Sequence, residues 1–314
     1  MVTKAKRVSY SKTVAQALKW AVAYLKRRGI TQPNLDAEVL LGHTLALDKS
    51  ALYLQLNHPI SPTELATFRQ RIYRRSRHEP VAYIIGQKEF WSLDFSVGPE
   101  VLIPRPETEF LVEETLKIAQ GMDKGNIKIL DIGTGSGNIA IALARELGSC
   151  WILALDISFK ALLLAINNIQ KHEVEKRVQL IASDLFQPLK RAGASFHIIL
   201  SNPPYIAEED WEYLPPDVKE YEPRLALDGG AKGDRFLRRI IHEAPDYLLP
   251  DGFLLLELGH NQAEAVQSWV EKEPRLDWIR IIPDYSSIPR VVVIKKLPIH
   301  RGERRERCDE TTEM

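Results

Sequence analysis

"ILDIGTGSGNIAIALA", residues 129–144, carries an apolar run into a helical pattern through glycines at three alternate positions. Glycine there lets the backbone turn tightly and approach a ligand that any Cβ would block. The spacing of Gly133, Gly135 and Gly137 is G-x-G-x-G, whereas dinucleotide sites use G-x-G-x-x-G, which argues against a pyrophosphate ligand and a dinucleotide oxidoreductase. A strand, a glycine turn and a helix in that order predict one unit of an open sheet covered on both faces by helices.

The neighbouring sequence repeats the theme. "WILALD" (151–156), "RVQLIA" (177–182), "HIILSN" (197–202) and "FLLLEL" (253–258) are short and mostly apolar, and helical stretches separate several of them. "LDWIRII" (276–282) and "RVVVIK" (290–295), joined by the turn-rich "PDYSSIP", predict a closing antiparallel pair. The fold class expected is α/β: a seven-stranded, Rossmann-like doubly wound sheet with a closing antiparallel strand pair.

Upstream the period is helical. Val14, Leu18, Ala21, Val22 and Leu25 recur at near 3.6-residue spacing, and Leu35–Leu47 and Ala51–Leu56 read as further helices. In "SPTELATFRQRIYRRSRH" (61–78), Ser61 is a candidate N-cap, Pro62 sits at the first helical position and Glu64 completes a capping box. Arg69, Arg71, Arg74, Arg75 and Arg77 read as a solvated face of that helix, in preference to a surface for RNA or an acidic partner. In "EFWSLDFSVG", Trp91, Leu93, Phe95 and Val97 alternate with polar residues, as in a half-buried strand. The expected domains are a helical domain (1–84), a β-hairpin connector (85–102), the α/β sheet domain (103–298) and a charged, disordered tail (299–314).

Ligands of such sheets bind outside the carboxyl ends of the strands. Asp131 precedes the first glycine, where a carboxylate orients the loop or the amino-acid end of S-adenosylmethionine. Asp156 ends the next strand, placed to accept ribose hydroxyl protons. Asp184 and Leu185 follow the third, Asp184 to accept from an adenine amino group and Leu185 to pack on the ring. Each carboxylate alone could merely cap a helix. In series, with Gly133, Thr134, Gly135, Ser136 and Gly137, they predict an adenosyl-nucleotide site.

The fourth strand ends in Asn202-Pro203-Pro204-Tyr205. Consecutive prolines cannot continue a central strand, so a rigid turn is the plain reading. Beside a nucleotide site another reading is stronger. The lone pair of a planar –NH₂ group is delocalised, and two acceptors taking both N–H protons would draw the nitrogen toward tetrahedral geometry. The Asn202 side-chain oxygen and the Pro203 carbonyl supply them, the Pro203-Pro204 unit holds them rigid, and Tyr205 offers a stacking face.

Together these segments resemble the peptide chain release factor glutamine methyltransferases (the HemK/PrmC type). "EPVAYIIGQKEFWSLDFSVGPEVLIPRPETE", "ILDIGTGSG", "DLF", "SNPPYI", "YEPRLALDGG" and "DYSSIPRVV" carry the resemblance. It implies methyl transfer from S-adenosylmethionine to the N5 amide nitrogen of the Gly-Gly-Gln glutamine in class I release factors. It places Gly133–Gly137, Asp156 and Leu185 on the cofactor, Asn202–Tyr205 on the substrate amide with Asn202 also against the cofactor, and Arg105 and Glu107 at the pocket border. Asn-Pro-Pro-Tyr is shared with methyltransferases of nucleic-acid amino groups (adenine N6, cytosine N4, guanine N2), which remain the alternative; a non-catalytic binding subunit would be expected to have lost the glycine loop or Asn202. Ala231-Lys232-Gly233-Asp234-Arg235 departs from the family's usual Asp-Gly-Leu, and Ser287 stands where glycine is common.

Composition narrows the partners. Lys+Arg 42 against Asp+Glu 42 gives a net charge of +0, so stable nucleic-acid binding is not expected. The two cysteines, Cys150 (in an expected loop) and Cys308, are too far apart in the chain to suggest a disulfide framework, and no metal-ligand spacing is present. A cytoplasmic monomer without a membrane span is the expectation.

Overall fold

The structure, a computed structural model, describes residues 12–122, 125–189 and 196–298. Cys308 and the tail from 299 lie outside the described residues. The chain divides into two compact units, one formed by the chain up to Gln87 together with Pro215–Tyr221, the other by Lys88–Leu214 and the chain from Glu222 onward.

The first unit holds α1 (Val14–Arg27), α2 (Pro33–Leu45), α3 (Lys49–Leu54), α4 (Pro62–Arg75) and α5 (Val81–Ile85). Both α1 and α4 open with full capping boxes, Thr13 with Gln16 and Ser61 with Glu64, each satisfying two backbone N–H groups that a helix start leaves orphaned. The apolar stripes of α1, α2 and α4 meet over Ala17, Ala21, Leu25, Leu40, Leu41, Phe68 and Ile72, all fully buried. Burial of each large side chain stabilises the unit by roughly 1.5–3 kcal/mol. The arginine series on α4 is not one solvated face. Arg69 and Arg77 are exposed, but Arg75 is buried and paired with Asp36 at 2.6 Å. Arg71 donates to Thr44, and Arg74 pairs with Glu79. The charge count of a helix does not reveal which cation a neighbouring helix will cover.

A hairpin follows, β1 (Gln87–Phe90) and β2 (Leu93–Ser96), whose residues from Lys88 onward belong to the second unit. The alternating stretch from Trp91 to Val97 is therefore not one strand. Trp91 and Ser92, with φ of +53° and +54°, form the two-residue turn. Two consecutive positive φ values match a type I′ turn, usually built from Asn and Gly, so no turn signal marks it in the sequence. After α6 (Glu109–Gln120) come β3 (Ile127–Ile132), α7 (Asn138–Glu146), β4 (Cys150–Asp156), α8 (Phe159–Lys171), β5 (Val178–Ala182) and β6 (Phe196–Ser201). Then follow α9 (Pro216–Tyr221), α10 (Arg235–Glu243), β7 (Leu248–Glu257), α11 (Ala263–Glu271), β8 (Leu276–Pro283) and β9 (Pro289–Lys296). Cys150 is buried at the start of β4 instead of lying in a loop.

The seven strands run in the order β5-β4-β3-β6-β7-β9-β8, parallel from β5 to β7 and antiparallel at β9 and β8. This is the Rossmann-like sheet with a closing antiparallel pair. Ile129, Leu130, Ile152, Ile198, Ile199, Leu254 and Leu255 are fully buried, as a sheet covered on both faces requires. Strand order reverses between β3 and β6, so their carboxyl ends open the crevice in which ligands of such sheets bind. In the β8–β9 turn Ser287 adopts φ +62°, a conformation that glycine enters without a Cβ penalty. Among the described residues no helix is long and apolar enough to cross a membrane.

Candidate active site

A cavity lies at the carboxyl ends of β3, β4, β5 and β6, lined by Gly133–Ser136, Asp156, Ser183–Leu185, Asn202, Pro203, Pro204 and Arg105 among others. Gly133, Gly135 and Gly137 have φ of +77°, +55° and +80°. At Gly133 and Gly135 an added Cβ would meet nothing within 4 Å, so the glycines leave room along the cavity wall as well as turning the chain. At Gly137, which starts α7, it would come within 3.2 Å of Ile141.

Asp131 is fully buried and does not line the cavity. Its Oδ2 accepts from the Thr134 hydroxyl at 2.6 Å, a contact that fits the first of its two suggested roles, loop orientation. Burial pushes its carboxyl up to about 7, against the hydrogen bond from Thr134, with the Asp156 charge adding to the rise. Asp156 reaches the cavity wall. Its oxygens accept from the backbone N–H of Gly135 and of Ser158, both at 2.8 Å, which fix its orientation while lone pairs remain for a ligand. Burial raises this carboxyl as well, opposed by those N–H groups. Asp184 also lines the wall but is ion-paired with Arg239 of α10 at 3.0 Å. Leu185 is buried beside it at φ +50°, its carbonyl accepting from the Ser183 hydroxyl.

Asn202, Pro203 and Pro204 line the cavity where β6 ends. The Asn202 Nδ2 donates to the Thr108 hydroxyl oxygen at 3.1 Å. Tyr205, expected to offer a stacking face to the substrate, is not among the lining residues. Its ring packs so closely on Gly259 that a Cβ there would lie 2.8 Å from Tyr205 Cδ2. Desolvation, with the nearby Glu257 charge, pushes its phenol up to about 12, so it stays neutral. Ile206 pairs with the "LDGG" segment, its N–H donating to Leu227 and its carbonyl accepting from Gly229. Gly233, in the loop that departs from the family pattern, packs against the Tyr205 carbonyl, and Gln262 ties its carbonyl to Gly259. Lys232 is exposed and Asp234 pairs with Arg238 on α10.

Arg105 lines the cavity, as the resemblance implied, but its partner and several other residues of the site carry no local signal in the sequence. Arg105 pairs with the buried Glu222, which also accepts from the Ile103 N–H at 3.2 Å, so "IPRPE" and "YEPR" meet at the cavity. Asn168, fully buried on α8, donates from one amide nitrogen to Ser96 of the hairpin and to Ser136 of the glycine loop. Glu257 closes β7, and burial pushes its carboxyl up to about 7 against a hydrogen bond from Thr108. Its Oε2 has no hydrogen-bond partner among the described residues. The one hint was a lone acid near the end of the apolar run "FLLLEL".

The arrangement offers an acceptor carboxylate at Asp156, apolar walls at Leu185 and Ile157, and a rigid polar strand end at Asn202 within one cavity. A PrmC N-terminal domain model matches residues 16–86, and a methyltransferase small domain model matches residues 107–214. A release factor glutamine methyltransferase from Geobacter sulfurreducens is 45% identical, covering 81% of this chain and 87% of its own. One from Bacillus subtilis is 35% identical over 90% of this chain and 97% of its own. The solved hMettl16 catalytic domain shares the fold with a TM-score of 0.53 at 15% identity, covering 76% of this chain and 83% of that one.

Proposed function

The chain belongs to the release factor glutamine methyltransferase family, and we propose on that premise that it moves a methyl group from S-adenosylmethionine to the Gly-Gly-Gln glutamine of class I release factors. The product is N5-methylglutamine. One observation carries the reading: Asn202 and Pro203, the two acceptors a planar amide needs, line the same cavity as the glycine loop and Asp156.

The residues fit the donor. Asp156 is held by two backbone N–H groups with acceptor capacity left for ribose hydroxyls. The Gly133–Gly135 turn leaves open space beside it, and Leu185 supplies an apolar surface for adenine. Asp184 is the acceptor for the adenine amino group and shares its charge with Arg239. Asp131 and Thr134 hold the glycine loop from beneath, and Asn168 anchors Ser136. When bound, the donor supplies a methyl activated by its sulfonium, so no strong base is needed.

On the substrate side, the Asn202 oxygen and the Pro203 carbonyl take the two N–H protons of the glutamine amide. This localises the nitrogen lone pair toward the methyl and stabilises the positive charge that develops there. Tyr205 stands behind the turn as a neutral ring that fixes its position. The excess proton leaves to water after transfer.

The test incubates the protein with labelled S-adenosylmethionine and, in parallel, purified release factor, rRNA and DNA, and locates the methyl by mass spectrometry. Label on the Gly-Gly-Gln glutamine is the expected result; label on nucleic acid alone would refute it. Asn202→Ala should abolish transfer while leaving much of the donor binding. Survival of turnover with less than about a tenfold loss, roughly 1.4 kcal/mol of barrier, would rule out the two-acceptor mechanism.

A further inference from the structure

Glu257 is the buried carboxylate that the mechanism above leaves unused. It is 1% exposed at the end of β7, and one of its oxygens has no hydrogen-bond partner among the described residues. Three other buried carboxylates in the unit are paired, Glu114 with Lys117 and Arg280, Glu222 with Arg105 and Asp284 with Arg290; Asp131, which also has one unpartnered oxygen, is already engaged with Thr134 beneath the glycine loop. The cations nearest Glu257 are Arg290 and Arg105, whose close ion pairs are those with Asp284 and Glu222. Leaving a buried acid in that state costs stability, so a chain that retains it gains something else.

The neighbours of Glu257 suggest the gain. β6 and β7 run parallel with Ser201 opposite Leu256, which sets Asn202 and Glu257 at adjacent strand ends. Between them stands Thr108, 3% exposed, which accepts from Asn202 Nδ2 at 3.1 Å and hydrogen-bonds Glu257. A hydroxyl has one hydrogen, and an ionised carboxylate only accepts. Thr108 must therefore donate to Glu257 and accept from Asn202, which commits the Asn202 Nδ2 to Thr108 and turns its oxygen away from that contact. We propose that Glu257, through the Thr108 hydroxyl, is a positioning residue that holds the Asn202 amide with its oxygen toward the cavity, ready to accept from the substrate nitrogen. The proposal rests on the amide-methylation reading of the site.

If Glu257 takes up a proton, the direction of the chain is no longer enforced. The acid can donate to Thr108, the Thr108 hydrogen can turn to Asn202, and the Asn202 amide can flip to present N–H₂ where an acceptor is needed. The groups facing Glu257 are Thr108, Glu107 and Arg105 before α6, Tyr205 after β6 and Arg290 on β9. Burial outweighs the two arginines, so this switch falls within the working pH range.

The experiment measures kcat for a Gly-Gly-Gln release factor between pH 5.5 and 8.5, with the dissociation constant for S-adenosylmethionine measured separately. The wild type should lose activity on the acid side with a midpoint near 7. Glu257→Gln should lower kcat about tenfold and remove that acid limb, with donor binding changed less than about twofold. Thr108→Val should behave alike, and Thr108→Ser should restore both rate and limb. A Glu257→Gln enzyme with wild-type kcat, or one that keeps the acid limb, would overturn the proposal. A second readout needs no turnover. In the wild type the ¹⁵N-labelled side-chain amide of Asn202, assigned by its loss in Asn202→Asp, should shift with a midpoint near 7. An amide that does not titrate would overturn the positioning role even if methyl transfer is observed. Label found on nucleic acid alone, with the amide titrating, would instead overturn the substrate reading and leave the positioning role standing.

Discussion

Gly259→Ala tests whether Tyr205 fixes the Asn-Pro-Pro turn. The backbone at 259 is outside the left-handed region, so alanine brings no φ penalty and acts only through its methyl. That methyl would lie 2.8 Å from Tyr205 Cδ2, 3.2 Å from Cγ and 3.1 Å from Gln262 Oε1. Carbon atoms in contact prefer about 3.5 Å, so the ring must retreat by roughly 0.7 Å or more. Tyr205 is largely desolvated and its own carbonyl abuts Gly233, so the displacement passes into Pro203 and Asn202. A misplacement of about 1 Å can cost on the order of 10²-fold in rate, so kcat should fall by about tenfold, or about 1.4 kcal/mol. Overpacking costs about 1–3 kcal/mol of stability, partly offset by about 0.4–1 kcal/mol from the stiffer unfolded chain. Donor affinity should hold, because neither residue lines the cavity. Steady-state methylation of a release factor and calorimetric titration of the donor measure both quantities. An unchanged kcat, or a loss confined to donor binding, would refute the claim that the ring sets the position of the turn.

The buried carboxyls give stability a pH dependence of definite sign. Asp131 is raised from 3.8 to about 7, so between those values the folded chain keeps a proton the unfolded chain releases. Stability from this group is complete below about pH 4 and is lost as pH rises through about 7. His43, His172 and His197, held below their usual value by burial, push the other way, so comparison with Asp131→Asn isolates the effect. By urea unfolding without ligand, the wild type should weaken relative to that variant by roughly 2–3 kcal/mol from pH 5 to 8, at about 1.4 kcal/mol per pKa unit; parallel profiles would refute it. In the helical unit, Asp36→Ala leaves Arg75 buried with only the Glu79 carbonyl at 3.2 Å and Asp217 at 4.0 Å for partners. The loss expected is about 3 kcal/mol, the lower end for a broken buried pair, and a loss under about 1 kcal/mol by the same assay would show that Asp217 takes over.

Features carried by contiguous residues were legible in the sequence. The apolar run that opens "ILDIGTGSG" falls within β3, and the Ser61–Glu64 capping box forms, because strand runs and caps depend on neighbours in the chain. Most of the carboxyl-end residues followed from the strands, since one rule about parallel sheets sends Asp156, Asp184, Leu185 and Asn202 to one crevice, while Asp131 and Tyr205 stand outside its lining. The turn at Trp91-Ser92 was hidden because its residues lack the turn chemistry that marks such a site. Residues that act across the sheet were hidden for another reason. Thr108 meets Asn202 across 94 positions, Asn168 meets Ser96 across 72 and Arg239 meets Asp184 across 55. No local pattern encodes such pairs. Glu257 comes closest, as an acid ending an apolar strand, but the same pattern fits a helix cap or a solvated strand end.

The helical unit is drawn from two places in the gene. Its second piece, Pro215–Tyr221, follows the Asn-Pro-Pro-Tyr turn by only a few residues. Within that unit Tyr221 donates its hydroxyl to the Arg77 carbonyl at 2.7 Å, and Asp217 approaches Arg75 at 4.0 Å. A recombination joint placed after Gln87 would import five helices and strand the sixth in a foreign partner. Exchange of the N-terminal part between relatives is therefore not a modular event: the graft succeeds only where the incoming helices also accept the resident 215–221 stretch, which ties the inheritance of the two units together.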